Sequence, residues 1–394
     1  MDFSNLKNCL DGFLEKYHVP GLDCIVCQNH QELFRYTPGY REVEKKTPMN
    51  GEELYLIFSM TKMLTCTCVL QLLEKEMFAL DDPISLYLPE FATMRIATEE
   101  DGGHGSDVFT GKTSGETVRL NENGFAKNPI TVRTLLNMSA GLNYDLKAEG
   151  ILRSLKEGKT STREIVRALA ETTLAFEPGT SFRYSLCHDV LGALIEIWSG
   201  QKFSDYLREH LLEPLGMKNT FFGIPEDKER LSKMMPRYAY NAEGIPVLQP
   251  LECVYSLEGE YESGGAGLTS CPEDYALFLD ALACGGIGKT GNKILSPESI
   301  ALMKENHLTE KGQKTFEEMG RQGYSYGFGV RTHIVPELSG SSSPVGEFGW
   351  DGAAGGFSMV DTEKQLSLTY FQEVHGWKVE FQTELLNALY SCFD

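Results

Sequence analysis

Apolar positions recur at helical spacing in the first stretch of the chain, "MDFSNLKNCLDGFLEKYHV", with charges between them, as in an amphipathic helix. The next stretch, "GLDCIVCQNHQELFRYTPGYREVEKK", alternates and turns like a pair of antiparallel strands. From 59 to 77, Met60, Met63, Leu64, Val69, Leu70, Leu73 and Met77 supply one apolar face, and no glycine or proline interrupts it. The spacing predicts a helix there, stopped in "LDDPISLYLPEFA" by Pro83 and Pro89. Residues 93–128 have no regular pattern and read as an exposed insertion or hairpin. Helical periodicity dominates from 131 to about 240, in "TVRTLLNMSAGL", "TREIVRALAETTL", "LCHDVLGALIEIWSG" and "FSDYLREHLLEPLGM". Turn-rich, strand-like sequence resumes near 236, with helices at "PEDYALFLDALACG" and "SPESIALMKENH". The stretch from "YSYGFGVRTHIV" through "EFGWDGAAGGFSMVD" to "QLSLTYFQE" reads as three antiparallel strands, and "FQTELLNALYSCF" as a final helix.

Strands thus lie at both ends and helices fill the middle. The economical architecture is of the α/β (α+β) class: an antiparallel sheet built from both termini and flanked by helices, with a mostly helical subdomain inserted. The expected division is a sheet subdomain of 1–66 plus 245–394 and a helical subdomain of 67–244. No fixed-period repeat is visible. The length of 394 residues fits two interleaved subdomains better than one core.

Composition narrows the function. Hydrophobic residues at 41% and charged residues at 23% match an ordinary globular protein. The formal charge of −20 argues against a nucleic-acid partner, which needs a basic surface, and disfavours anionic membranes. No run of roughly 18 apolar residues suggests a spanning helix. The amino terminus lacks the basic start and apolar run of a secretory signal, so a soluble, cytoplasmic protein is expected. Ten cysteines then read as reduced thiols. Cys24 and Cys27 form a CxxC, but within a strand residues three apart face opposite sides, so no metal or redox pair is expected. The 39 glycines cluster in "SGGAG" and "DGAAGG", which points to tight turns and close backbone approaches.

Candidate chemistry begins with Ser59 and Lys62 in "IFSMTKMLT". A spacing of three on a helix puts both side chains on one face. The pair alone decides nothing, since roughly one is expected by chance and Ser4–Lys7 repeats it. The flanks "LYLIF" and "MLTCTCVL" are apolar, however, so burial would desolvate the Lys62 amine, lower its pKa and let it accept the Ser59 proton.

The surrounding text is more specific. "FSMTK" entering a helix, then "LDDPISLYLPEF", "PITVRTLLNMSAGL", "FEPGTSFRYSLCHDVLG" and "EPLGMKNTFF", in this order, resemble the serine β-lactamase and penicillin-binding-protein superfamily, nearest its branch of class C β-lactamase-like esterases and acyl-transfer enzymes. The resemblance spans nearly the whole chain, as one β-lactamase-like domain. It implies Ser59 as nucleophile with Lys62, and a proton-relaying tyrosine at Tyr184, which opens "YSL". Tyr255 and Tyr324 also precede serines but lack that context. The third element, Lys-Thr-Gly or Trp-Gly-Gly on a cleft-lining strand, is matched by Trp350, Asp351 and Gly352, expected to bind substrate. The literal "KTSG" at Lys112 to Gly115 precedes the tyrosine and reads as a decoy. By resemblance the oxyanion hole would be the amides of Ser59 and Ala353.

Asp351 departs from the family pattern. Facing the cleft, it would repel a substrate carboxylate about 5 Å away by a few kcal/mol at an effective dielectric of about 20, disfavouring β-lactams and D-alanyl peptides. Facing the far side of its strand, it would be merely structural. His188 shares a helical face with Tyr184 and could tune it, although a packed histidine is the plainer reading. No cofactor and no metal are expected. The chain is expected to be a serine hydrolase acting through an acyl-enzyme on a small-molecule ester or amide. Water would make it an esterase, and a bound alcohol or amine an acyltransferase. A β-lactamase or D-amino-acid peptidase and a non-enzymatic ligand sensor are the alternatives.

Overall fold

A computed structural model describes residues 1–98, 120–253, 255, 257 and 259–393. Among these, the largest sheet has seven strands, all paired antiparallel: β1 (Leu22–Gln28), β2 (Gln31–Tyr36), β3 (Tyr324–Tyr326), β4 (Arg331–His333), β5 (Phe348–Gly349), β6 (Phe357–Asp361) and β7 (Leu366–Gln372). Their order is β3-β4-β5-β6-β7-β1-β2, so the two ends of the chain meet at the β7–β1 pair, where Cys24 lies opposite Tyr370. The carboxy-terminal stretch therefore forms five strands rather than the three expected. Turns at Gly327–Gly329 and at 352–356 divide it, and β5 is too short to show an alternating pattern.

Period-two alternation sorts the two faces. Leu366, Leu368 and Tyr370 of β7, with Leu22, Cys24 and Val26 of β1, enter one apolar cluster with α1 (Ser4–Lys16) and the final helix; Phe371 points into the other cluster. On the second face lie α2 (Thr61–Glu74), α3 (Cys187–Ser199) and α4 (Pro272–Ala283). Helix α4 packs on β7, β1 and β6, and α2 packs on α3. The final helix, α5 (Glu380–Tyr390), pairs with α1 outside the sheet. Cys24 is buried in the α1–α5 cluster, whereas Cys27 lies within electrostatic reach of Asp280 and Cys284 on the α4 side; both thiols are free.

Helix α2 differs from its expected form in two ways. It is buried on every side from Thr61 to Leu72 rather than along one face; Thr65 donates its hydroxyl to the Gly264 carbonyl at 2.7 Å, and Thr67 donates to the Met63 carbonyl one turn back. It also ends at Glu74, because Glu76 adopts φ 56°, so Met77 falls outside it and is 46% exposed. Around 93–128, Arg95–Ala97 and Leu120–Phe125 pair antiparallel as the stem of a hairpin. The Lys112 to Gly115 stretch lies outside the described residues. Among the described residues, no helix is long and apolar enough to cross a membrane.

Candidate active site

The site begins with a backbone irregularity. Phe58 is fully buried with φ 45°, a region that bulky residues adopt only under constraint. Its ring is fixed edge-on by Tyr255 and His375, at centroid distances of 5.8 and 5.1 Å. Strand Tyr55–Leu56 pairs with Leu268–Ser270, and the Ile57 amide donates to the Leu268 carbonyl at 3.0 Å. Held at both ends, the chain turns through a short 3₁₀ segment, Phe58–Met60, and presents Ser59 at the start of α2.

The same pairing brings the glycine cluster before Leu268 against α2. Lys62 has no exposed surface; its Nζ donates to the Gly265 carbonyl at 2.6 Å and to Ser59 Oγ at 3.3 Å. A β-carbon at Gly265 would sit 2.6 Å from Asp189 Oδ2 and 3.3 Å from Lys62 Nζ, so only glycine fits between them. Burial lowers the Lys62 pKa from 10.5 to about 8, with the Asp189 carboxylate pulling weakly the other way. Asp189 Oδ1 accepts from Tyr261 at 2.5 Å and Ser263 at 2.6 Å, while burial raises its carboxyl pKa.

Tyr184 lies over Lys62, with the ammonium 4.6 Å from the ring centroid. It stacks between Tyr144, at 6.0 Å, and Trp350, at 5.7 Å, and its phenol oxygen accepts from Trp350 Nε1 at 3.2 Å. Burial pushes the phenol pKa up, opposed by hydrogen bonds with Ser59 and Trp350, so Tyr184 is neutral at ordinary pH.

Trp350 to Ala353 form the opposite wall. The Gly352 amide donates to Gly356 and its carbonyl accepts from Gly355, closing a turn with Gly355 at φ 90°. A β-carbon on Gly352 would lie 2.8 Å from the Ile57 carbonyl, so this glycine lets the wall approach the Ser59 turn. Among the described residues, no backbone hydrogen bond engages the Ser59 or Ala353 amide. Both residues line one narrow, solvent-open cleft of about 60 Å³, together with Tyr144, Tyr184, Trp350 and Trp377.

Asp351 also lines this cleft, so it does not sit on the far side of its strand, but it is not a bare carboxylate. Arg321 Nη2 donates to Asp351 Oδ2 at 2.5 Å and Gln382 Nε2 donates to the same oxygen at 3.2 Å. A guanidinium on the same wall thus balances its charge. His188 is buried against Cys66 and the Leu136 carbonyl, 3.3 Å from Nε2, and burial with the nearby Lys62 lowers its pKa to about 3. It packs as a neutral ring, with its Nε2 directed to Leu136 rather than to Tyr184.

Asp189, Gly265, Tyr144 and Arg321 were not reached from sequence. Only "SGGAG" gave a signal, as a cluster of glycines suited to close approach. Away from the cleft, His30, Asp280 and Cys284 place ligand atoms within 4.8 Å of one another. The carboxylate is already engaged by the His30 ring and amide, at 2.7 and 3.0 Å, which clips the β1–β2 turn to α4.

Antiparallel sheet, buried lysine and cleft together define a protein of the β-lactamase and transpeptidase-like fold. The chain belongs to the beta-lactamase family, which matches residues 6–389. It is 26% identical over 388 residues to esterase EstB of Burkholderia gladioli, covering 93% of this chain and 88% of the esterase. It is likewise 26% identical over 406 residues to acyltransferase calJ of Penicillium decumbens, covering 96% and 90%. The fold is shared with EstCE1, a hydrolase with promiscuous acyltransferase activity, at a TM-score of 0.77 and 24% identity over 98% of this chain and 99% of that one.

Proposed function

We propose that the protein is a serine hydrolase that turns over small esters through a covalent acyl-enzyme. Ser59 Oγ attacks the ester carbonyl as its proton passes to Lys62 Nζ. The tetrahedral oxyanion sits between the Ser59 and Ala353 amides, where one such donor is typically worth about 3 kcal/mol. Tyr184 relays a proton to the departing alkoxide, and water then releases the acyl group from Ser59. A bound alcohol or amine in place of that water gives acyl transfer, an outcome supported by the similarity to calJ.

The observation that carries this reading is the Lys62 amine: fully buried, bonded to Ser59 Oγ at 3.3 Å, and lowered to about 8. An amine titrating there holds a useful neutral fraction at physiological pH. It supports Lys62 as the base that accepts the serine proton. The phenol of Tyr184 is shifted the opposite way and keeps its proton at ordinary pH, which suits a relay that gives up one proton as it receives another. Turnover of p-nitrophenyl butyrate by wild type and Ser59→Ala tests the proposal. Loss of turnover in the variant is expected, and an unchanged rate would sink it.

A further inference from the structure

We propose that Arg321 and Asp351 act as a mutually neutralising pair that sets the charge selectivity of the cleft, restricting it to uncharged esters with apolar or aromatic flanks. The inference rests on the ester-hydrolase reading of Ser59. Among the described residues lining the cleft, these two alone carry formal charge. Apart from Ser59, the rest of its wall is aromatic or apolar, dominated by Tyr144, Tyr255, Met319, Trp350 and Trp377.

The pair is held in a closed triangle. Arg321 donates to Asp351 Oδ2 at 2.5 Å and to Gln382 Oε1 at 2.8 Å, and Gln382 returns a donor to the same Asp351 oxygen at 3.2 Å. The guanidinium also lies 5.6 Å from the Trp350 ring centroid. Their side chains are only 12% and 10% exposed. A substrate carboxylate entering here meets a cation whose hydrogen bonds and field are already directed at Asp351, so the cost of desolvating it is not offset. A substrate cation meets the converse. An uncharged acyl or alkoxy group gains the aromatic wall without that cost.

The geometry makes a signed prediction, because either charge can be removed alone. Asp351→Asn leaves Arg321 unmasked, Arg321→Gln leaves Asp351 unmasked, and the double variant is neutral again. Three esters read the outcome: p-nitrophenyl butyrate, the similarly sized anion mono-p-nitrophenyl succinate, and the cation butyrylcholine. For Asp351→Asn, the ratio of kcat/KM for succinate over butyrate is expected to rise about tenfold or more. For Arg321→Gln that ratio falls while the butyrylcholine ratio rises. The double variant returns both ratios to within about twofold of wild type. Damage to folding lowers all three rates together and cancels in the ratios.

Ratios that stay within twofold in both single variants, or a double variant that does not return, overturn the proposal. If wild type turns over no ester, the functional reading has failed. The charge argument is then decided by binding of benzoate, benzamide and benzylammonium to the four proteins, followed by tryptophan fluorescence. The same ordering of affinities is expected, and equal affinities across the four proteins overturn it.

Discussion

Replacing Lys62 by methionine removes the one amine on which the proposed chemistry rests, while keeping a side chain of similar length inside α2. The unfolded chain releases that proton near 10.5 and the folded chain near about 8. Between these values the unfolded state binds more protons, so stability rises with pH through that window. Below about 8 the amine is charged in both states, and the native state carries the full cost of burying it. The gap, 10.5 less about 8, is about 2.5 pH units, or ~3 kcal/mol. Methionine escapes this cost but leaves the Gly265 carbonyl without its donor, a loss of about 1–2 kcal/mol. Lys62→Met is therefore expected to be inactive toward esters yet about 1–2 kcal/mol more stable than wild type at pH 7. That advantage should shrink by about 2 kcal/mol between pH 7 and 9.5 as wild type sheds its proton. Denaturant unfolding of both proteins at the two pH values, under reducing conditions, measures it. The same stability gap at both pH values would refute the reasoning, since the cost would then not come from a buried, titrating amine.

Further consequences concern the groups around that amine. On the proposed mechanism kcat/KM for a neutral ester rises with pH and levels off above about 8 as Lys62 loses its proton. A profile flat from pH 6 to 9 contradicts Lys62 as base. Gly265→Ala forces a methyl to within 2.6 Å of Asp189 Oδ2 and 3.3 Å of Lys62 Nζ. It is expected to lower kcat by about a hundredfold and stability by about 1–3 kcal/mol, and a wild-type kcat would show that Gly265 does not position the lysine. Tyr184→Phe keeps the stack between Tyr144 and Trp350 but removes the phenol and strands the Trp350 indole donor. Steady-state kinetics should show kcat reduced by about 10²–10⁴, with at most about 1–2 kcal/mol of stability lost, and a loss confined to KM would point to a binding role instead.

The parts of this molecule that were legible in its sequence are those encoded within one element. The alternation of Leu366, Leu368 and Tyr370 announces β7, and the spacing of Leu6, Leu10 and Phe13 announces the helix that covers it. Elements of two or three residues carry too little pattern, which is why β3, β4 and β5 merged with their neighbours. Helix α2 misled in a different way. The apolar positions from Met60 to Met77 marked out one face, but Thr65 donates to the Gly264 carbonyl and Thr67 to the Met63 carbonyl, and every side from Thr61 to Leu72 is buried. In the site, Ser59, Lys62, Tyr184 and Trp350 come together in one place, and each stood out in a recognisable local motif. Their supports did not. Gly265 lies 203 residues beyond Lys62, and Arg321 lies 30 residues before Asp351, so both pairings exist only through the fold. Asp351 read alone is a repelling carboxylate. Read with Arg321 it is half of a neutral wall, and the expected selectivity changes with it.

The central claim is that Ser59 becomes acylated, and a fluorophosphonate tests it most directly. The reagent delivers phosphorus to an activated serine and forms a stable adduct, so intact mass and peptide mapping report the site without reference to any natural substrate. One phosphonyl group per chain, mapped to Ser59 and appearing in step with the loss of p-nitrophenyl butyrate turnover, is the predicted result. Ester turnover that persists with Ser59 fully modified, or an adduct on another residue in step with the loss of activity, would contradict the account.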